Sequence, residues 1–162
     1  MPRVYIETSI VSYLRQRPSG QVIAAARQLL TRRWWERERL NYELVTSQYV
    51  IDEAGDGYPL IARVRLDSLD GISQWQLVPE IDSIASDIMS RAILPPKAQV
   101  DALHIAAAAH HRIDYLLTWN CTHIANARIL PRIHRVLAER NCFVPIICTP
   151  EEMLDDESID ET

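Results

Sequence analysis

Three carboxylates and one amide, far apart in the chain, carry the chemistry this sequence offers: Glu7, Glu53, Asp101 and Asn120. Glu7 ends a short β-branched and aromatic run, Val4-Tyr5-Ile6, just where the pattern turns helical at Ile10, Val11 and Leu14. Asn120 closes a second such exit, after Tyr115 to Thr118. Glu53 borders the apolar face made by Val50, Ile51 and Ala54, whereas Asp52 points about a hundred degrees away by the helical period. Asp101 lies in the first turns of an alanine-rich helix, on the side of Ile105 and Ala108. An unpaired carboxylate buried there would cost several kcal/mol, so it needs a helix N-terminus, an arginine or a metal ion. Acids gathered at one place raise one another's pKa unless a divalent cation neutralises them, and oxygen-only ligands suit Mg²⁺ or Mn²⁺ rather than zinc. The chemistry would be that of a hard divalent cation held by oxygens, and the hydroxyls of Thr8 and Ser9 can cap the helix after Glu7 or hold its carboxylate in place. Each acid also has a plainer reading. Glu7 fits a solvated first-turn acid, Asp52 and Glu53 fit surface charge, and Asp101 fits an ordinary salt bridge.

The elements that must bring these residues together alternate along the chain. Strands are expected at Val4–Ile6, Tyr42–Thr46, Trp75–Val78, Tyr115–Thr118 and Val144–Cys148, separated by one or two helices each. Such alternation implies a parallel sheet covered on both faces, with the carboxyl ends of all strands on one edge. Ligands bind beyond that edge in open α/β sheets. Gln21 to Leu40 reads as one long amphipathic helix with Val22, Ala25, Ala26, Leu29 and Leu30 on its apolar face; Trp34 and Trp35 near its end favour packing on a neighbour or a partner subunit. Ser47 is an expected N-cap, and helices are expected over Tyr58–Leu69, Glu80–Leu94, Lys97–Arg112 and from Pro131 to about Asn141. Four consecutive alanines, Ala106 to Ala109, mark the deepest of these. His104, His110 and His111 on the same helix make no i, i+4 pincer, so they read as core-edge or surface histidines rather than zinc ligands. Thr149-Pro150-Glu151-Glu152 fits a capping box opening a short acidic helix that frays after Leu154.

With 162 residues and 48% hydrophobic content the chain is sufficient for one core: a single domain over residues 1–150 and an acidic tail over 151–162. No apolar run is long enough to span a bilayer, and the start lacks the basic-then-apolar pattern of a signal peptide, which leads to the expectation of a cytoplasmic protein. Cys121, Cys142 and Cys148 are odd in number, form no C-x-x-C, and read as buried small hydrophobes. The net charge of −5 is unevenly spread: seven of the 22 acids lie from Glu151 onward, leaving 15 acids against 17 bases before them, a net of +2. Sixteen of those bases are arginine, the side chain suited to bidentate phosphate contacts, so a nucleic-acid substrate is compatible with the charge. Four glycines and no Gly-rich fingerprint argue against nucleotide binding. A phosphate-accepting receiver domain fits badly, since adjacent acids at the first strand end and a lysine at the last are missing; the only lysine, Lys97, lies elsewhere.

Four blocks of the sequence, V-Y-I-E-T-S-I-V-S-Y-L, S-Q-Y-V-I-D-E-A, V-D-A-L-H-I-A-A-A and Y-L-L-T-W-N-C-T-H-I-A-N-A, resemble in order and placement those of PIN domains. More narrowly, they resemble the small stand-alone VapC-type toxin nucleases of bacterial toxin-antitoxin pairs. The resemblance covers nearly the whole chain. It implies a three-layer α/β/α sandwich with a central parallel sheet, and an endoribonuclease in which Glu7, Glu53 and Asp101 hold Mg²⁺ or Mn²⁺ while Asn120 fills a fourth position and the hydroxyls of Thr8 and Thr118 orient ligands or waters. It further implies an RNA substrate, a homodimer and a small cognate antitoxin; Arg63 and Arg65 are the arginines assigned to the RNA backbone. Two departures stand out: the family's first acid is usually aspartate, and the fourth position often is, whereas here Glu7 is a methylene longer and Asn120 carries no charge. They leave room for a second reading, a PIN fold without turnover that binds RNA or a partner as a regulatory module.

Overall fold

A computed structural model describes residues 1–155. Its centre is β1 (Arg3–Ile6), whose Val4, Tyr5 and Ile6 have no solvent exposure, as expected for a strand flanked on both edges and covered on both faces. In chain order follow α1 (Thr8–Arg15), α2 (Val22–Arg33), β2 (Glu43–Ser47), α3 (Gln48–Ala54), α4 (Pro59–Ser68), β3 (Ser73–Trp75), α5 (Pro79–Ser90), α6 (Gln99–His110), β4 (Tyr115–Leu117), α7 (Leu130–Glu139) and β5 (Ile146–Cys148). The five strands form one all-parallel sheet in the order β3-β2-β1-β4-β5. Helices surround it, giving the three-layer α/β/α sandwich expected from the alternating pattern. Tyr5 pairs with Val45 on one side and Leu116 on the other, so β1 and β4 end level at Ile6 and Leu117, and β2 runs one residue further, to Ser47. No helix among the described residues is long and apolar enough to cross a membrane.

The strands are displaced from the sequence reading by one to a few residues. β2 begins at Glu43 rather than Tyr42, and β3 ends at Trp75, where it was expected to start. Pro79 does not simply end a strand; it opens α5, where the missing N–H costs nothing. Helix α6 is preceded by a 3-10 turn over Pro96–Ala98, and Ala102 and the stretch His104–Ala109 are buried, so small side chains let it sit close to its neighbours.

The largest departure lies in the long second helix. Regular helix stops at Arg33 and passes into a π-helical turn, Trp34–Glu38, and a 3-10 turn, Arg39–Asn41. Its buried face is not the apolar one expected: Val22 is 85% exposed and Leu29 40%, while Gln28 and Thr31 are buried. The reason is hydrogen bonding. Gln28 accepts from the Ser19 N–H at 3.0 Å and donates to the Arg17 carbonyl at 2.7 Å; Thr31 donates to the Arg27 carbonyl and receives the Trp119 indole N–H at 2.7 Å. Trp34 and Trp35 are buried within their own chain, Trp34 against Tyr42.

Smaller corrections concern single residues. Cys148 is buried, but Cys142 is partly exposed and Cys121 exposed. Ser47 precedes α3 without capping it through its side chain, because that hydroxyl is bonded to Tyr5. Glu152 does reach back to the Thr149 N–H (2.6 Å) and hydroxyl (3.2 Å), although only a 3-10 turn, Glu151–Met153, follows; the expected fraying beyond Leu154 falls mostly outside the described residues.

Candidate metal-binding site

Glu7 sits where β1 hands over to α1 and is itself the N-cap of that helix. Its Oε2 accepts the Ser9 N–H at 2.7 Å and the Thr118 hydroxyl at 3.1 Å. The side chain is not a solvated first-turn acid: the residue is 4% exposed. Burial pushes its carboxyl pKa up, and the nearby Glu53 charge adds to this; His104 and the Ser9 hydrogen bonds pull the other way without cancelling it. No lysine or arginine is bonded to Glu7 among the described residues.

Glu53, on α3, is anchored through one oxygen. Its Oε1 accepts the Thr8 hydroxyl at 2.7 Å and lies 2.6 Å from His104 Nε2. Burial acts to raise this carboxyl, but the His104 hydrogen bond and charge, with the Thr8 bond, outweigh it and hold Glu53 below the usual carboxylate range. Asp52, one residue earlier, is exposed and bonded to Gln48, as the helical period requires.

Asp101, half-buried on α6, is not the unpaired acid that its place beside Ile105 and Ala108 suggested. Oδ1 accepts Asn120 Nδ2 at 3.1 Å and Oδ2 lies 3.0 Å from His123 Nδ1. Asn120 is fixed in turn: its Oδ1 accepts the His123 N–H at 2.9 Å and its own N–H donates to Thr118 Oγ1 at 2.9 Å. Ser9 ties the two strand ends together, its hydroxyl accepting the Trp119 N–H at 2.7 Å. A continuous path of hydrogen bonds therefore runs from Glu7 through Thr118 and Asn120 to Asp101.

Two histidines belong to this site: His104, which sequence reasoning set aside, and His123, to which it gave no role. His104 is fully buried, not at the core edge, while His110 and His111 are partly exposed. The signal was present: His104 stands one turn beyond Asp101 on a helix otherwise apolar there, and a buried polar side chain must find a partner. His123 lies in the loop after β4. The two arginines assigned to RNA fare differently. Arg65 is committed to the turn after α3, donating to the Ala54 carbonyl at 2.9 Å and to the Asp56 carbonyl, next to Gly57 in its left-handed conformation. Arg63 is exposed on α4. Arg27 on α2 instead lies 5.3 Å above the Trp119 ring and donates to the Tyr13 hydroxyl at 3.3 Å, beside the Ser9–Trp119 junction.

Among the described residues no group of three or more His, Cys, Asp or Glu side chains could hold a metal ion as the side chains stand. An all-protein cage is thus not formed. The donor set does fit a hydrated Mg²⁺, which keeps several waters and is commonly held by one or two carboxylates. Among the described residues no cationic side chain is bonded to the buried carboxylate of Glu7, and both Glu7 and Glu53 bond through one oxygen only. No protein-family model matches this chain, and no curated protein matches it either.

Proposed function

We propose that this chain is a Mg²⁺- or Mn²⁺-dependent endoribonuclease of the PIN type, hydrolysing RNA phosphodiester bonds at the carboxyl edge of its sheet. The observation that carries the reading is Glu7: a buried acid at the end of the central strand, raised in pKa by burial, bonded only to neutral donors, and linked through Thr118 and Asn120 to Asp101. A buried carboxylate without a cation is costly, and a divalent ion offsets that cost.

Glu7 and Glu53 would hold the ion, with Asp101 reaching it directly or through water. When bound, the ion supplies positive charge at the scissile phosphate and acidifies a water. The residues supply the rest. Thr118 and Ser9 fix Glu7 at Oε2, leaving Oε1 for the ion or its waters. Thr8 and His104 fix Glu53 at Oε1, leaving Oε2 for the ion or its waters. Arg27, held over Trp119, suits a backbone phosphate of a single strand. The same resemblance suggests a cytoplasmic toxin that forms a homodimer and is held by an antitoxin.

Cleavage of a mixed-sequence RNA pool with Mg²⁺ or Mn²⁺, with and without chelator, tests the reading. Wild type should cleave only with the metal, and Asp101→Asn, which can retain its bonds to Asn120 and His123, should stay folded and lose the activity. Undiminished cleavage by that variant refutes the site. The mutual ties of Asp101, Asn120 and His123, with no ready-made three-ligand group among the described residues, favour one second reading, a module that binds RNA without turnover. It predicts RNA binding indifferent to chelator and no cleavage with Mn²⁺.

A further inference from the structure

A polar chain runs from the sheet into the site through the core. The Ser47 hydroxyl lies 2.6 Å from the Tyr5 hydroxyl, which lies 2.8 Å from His104 Nδ1; His104 Nε2 lies 2.6 Å from Glu53 Oε1. Ser47, Tyr5 and His104 are all fully buried, and they come from β2, β1 and α6. The roles of the atoms follow from their chemistry. A carboxylate only accepts, so Nε2 carries the proton toward Glu53. Nδ1 is bonded to the Tyr5 hydroxyl and that hydroxyl to Ser47, whichever atom of each pair donates. Tyr49 closes one side of the His104 ring edge-on at 6.3 Å, and Tyr5 packs against it at 5.8 Å.

We propose that His104 is a positioning residue: held from behind by Tyr5 and Ser47, it fixes the rotamer of Glu53 so that Oε2 is presented to a divalent cation. The inference rests on the nuclease reading above. A histidine on a carboxylate usually has the reverse task, with the acid orienting the imidazole on a metal. Here the imidazole is the deeper and better anchored partner, and the half-exposed acid is the one that needs orienting. Thr8 binds the same oxygen from the side of Glu7, so two directions of restraint meet on Oε1.

The test is Mn²⁺ affinity of the RNA-free protein, measured by titration calorimetry on wild type, His104→Leu, His104→Gln and Tyr5→Phe, each checked for folding by circular dichroism. His104→Leu should weaken Mn²⁺ by about 10- to 100-fold, the range seen when an outer partner of a ligand is lost. His104→Gln, which keeps an N–H for Glu53, should restore most of that loss, and Tyr5→Phe should weaken binding by less than His104→Leu. A folded His104→Leu with wild-type affinity overturns the inference, as does a His104→Gln no better than His104→Leu. If the leucine variant does not fold, unchanged affinity in folded Tyr5→Phe overturns it. Imidazole ¹⁵N spectra of the wild type give an independent readout: a slowly exchanging proton on Nε2 is expected, and its absence refutes the arrangement. Wild type that binds no Mn²⁺ and cleaves no RNA brings down the nuclease reading and this inference together, whereas wild type that binds and cleaves while the His104 variants bind equally well brings down this inference alone.

Discussion

The two flanks of Glu7 are built differently. On one side Glu53 is tied to His104 and Tyr5, both fully buried and carried by regular elements of the core. On the other side Asp101 is tied to Asn120 and His123, which belong to the partly exposed loop after β4. The first flank is locked by packing as well as by hydrogen bonds, and a group held that way moves only if the core moves. The second is closed by side chains bonded to each other at the surface, where water replaces a lost partner at small cost. On the proposed nuclease reading, one rigid and one adjustable flank would give a cation a fixed anchor and still let the site rearrange when the ion and a phosphate arrive.

Glu7 stands between the flanks, and its removal should have the largest effect. Glu7→Gln keeps an oxygen for Ser9 and Thr118 but carries no charge, so cleavage should fall by about 100-fold or more, as a loss of several kcal/mol of charge stabilisation demands. Stability should move the other way. Because burial raises the folded-state pKa of Glu7 above its unfolded value, the stability tied to its neutral form is complete below the ordinary glutamate pKa. It is lost as pH rises through the raised value. At pH 8 without divalent ions Glu7→Gln should therefore melt higher than wild type, by about 2–4 °C for each kcal/mol released, and the gap should close toward pH 4. Mn²⁺ should raise the melting temperature of wild type and not of the variant. Equal melting of the two proteins at all pH values would place Glu7 in water rather than in a buried site.

The rigid flank and the adjustable one were not equally legible in the sequence. β1 and Glu7 could be read because a short β-branched run meeting a helical period leaves few alternatives, and the alternation of elements dictates a parallel sheet. Glu53 could be placed inward of Asp52 by helical period alone. That His104 needs a partner could be read from the apolar helix around it, but which partner could not, because Tyr5 and Glu53 are 99 and 51 residues away and no local spacing encodes them. The phase of α2 was misread for a related reason. Its apolar residues follow a helical period, yet burial follows Gln28 and Thr31, whose partners lie in the loop before the helix, in its preceding turn and at Trp119. Asp101 was expected to need a helix N-terminus, an arginine or a metal ion; its actual partners, Asn120 and His123, approach it only after the sheet has brought α6 and the β4 exit together.

Arg27 borders the adjustable flank through Trp119, the residue before Asn120. If it meets an RNA phosphate, Arg27→Ala should raise KM about fivefold, leave kcat unchanged, and lower the salt dependence of binding by about 0.7 in log–log slope, the increment for one phosphate on a single strand. Arg65→Ala should behave otherwise. Its bonds go to the carbonyls of Ala54 and Asp56, so it should lower stability and leave the salt slope alone. A salt slope that responds to Arg65 and not to Arg27 would move the RNA path to the α4 side of the molecule.

The smallest effect should come from His123, and it bears most directly on the contrast between the flanks. His123→Ala removes the contact to Asp101 Oδ2 but retains the backbone N–H that Asn120 Oδ1 accepts, so the loop keeps its fold. The cost should be about 1 kcal/mol, or about 2–4 °C in melting temperature. Mn²⁺ affinity should stay within about threefold of wild type, because the histidine occupies an oxygen that a bound ion or its water would otherwise use. Set beside the tenfold or greater loss expected for His104→Leu, the outcome separates a histidine that presents a carboxylate from one that merely covers it. Were His123→Ala to weaken Mn²⁺ as strongly, the loop after β4 would be as much a part of the rigid frame as the core histidine, and the site would have no adjustable side.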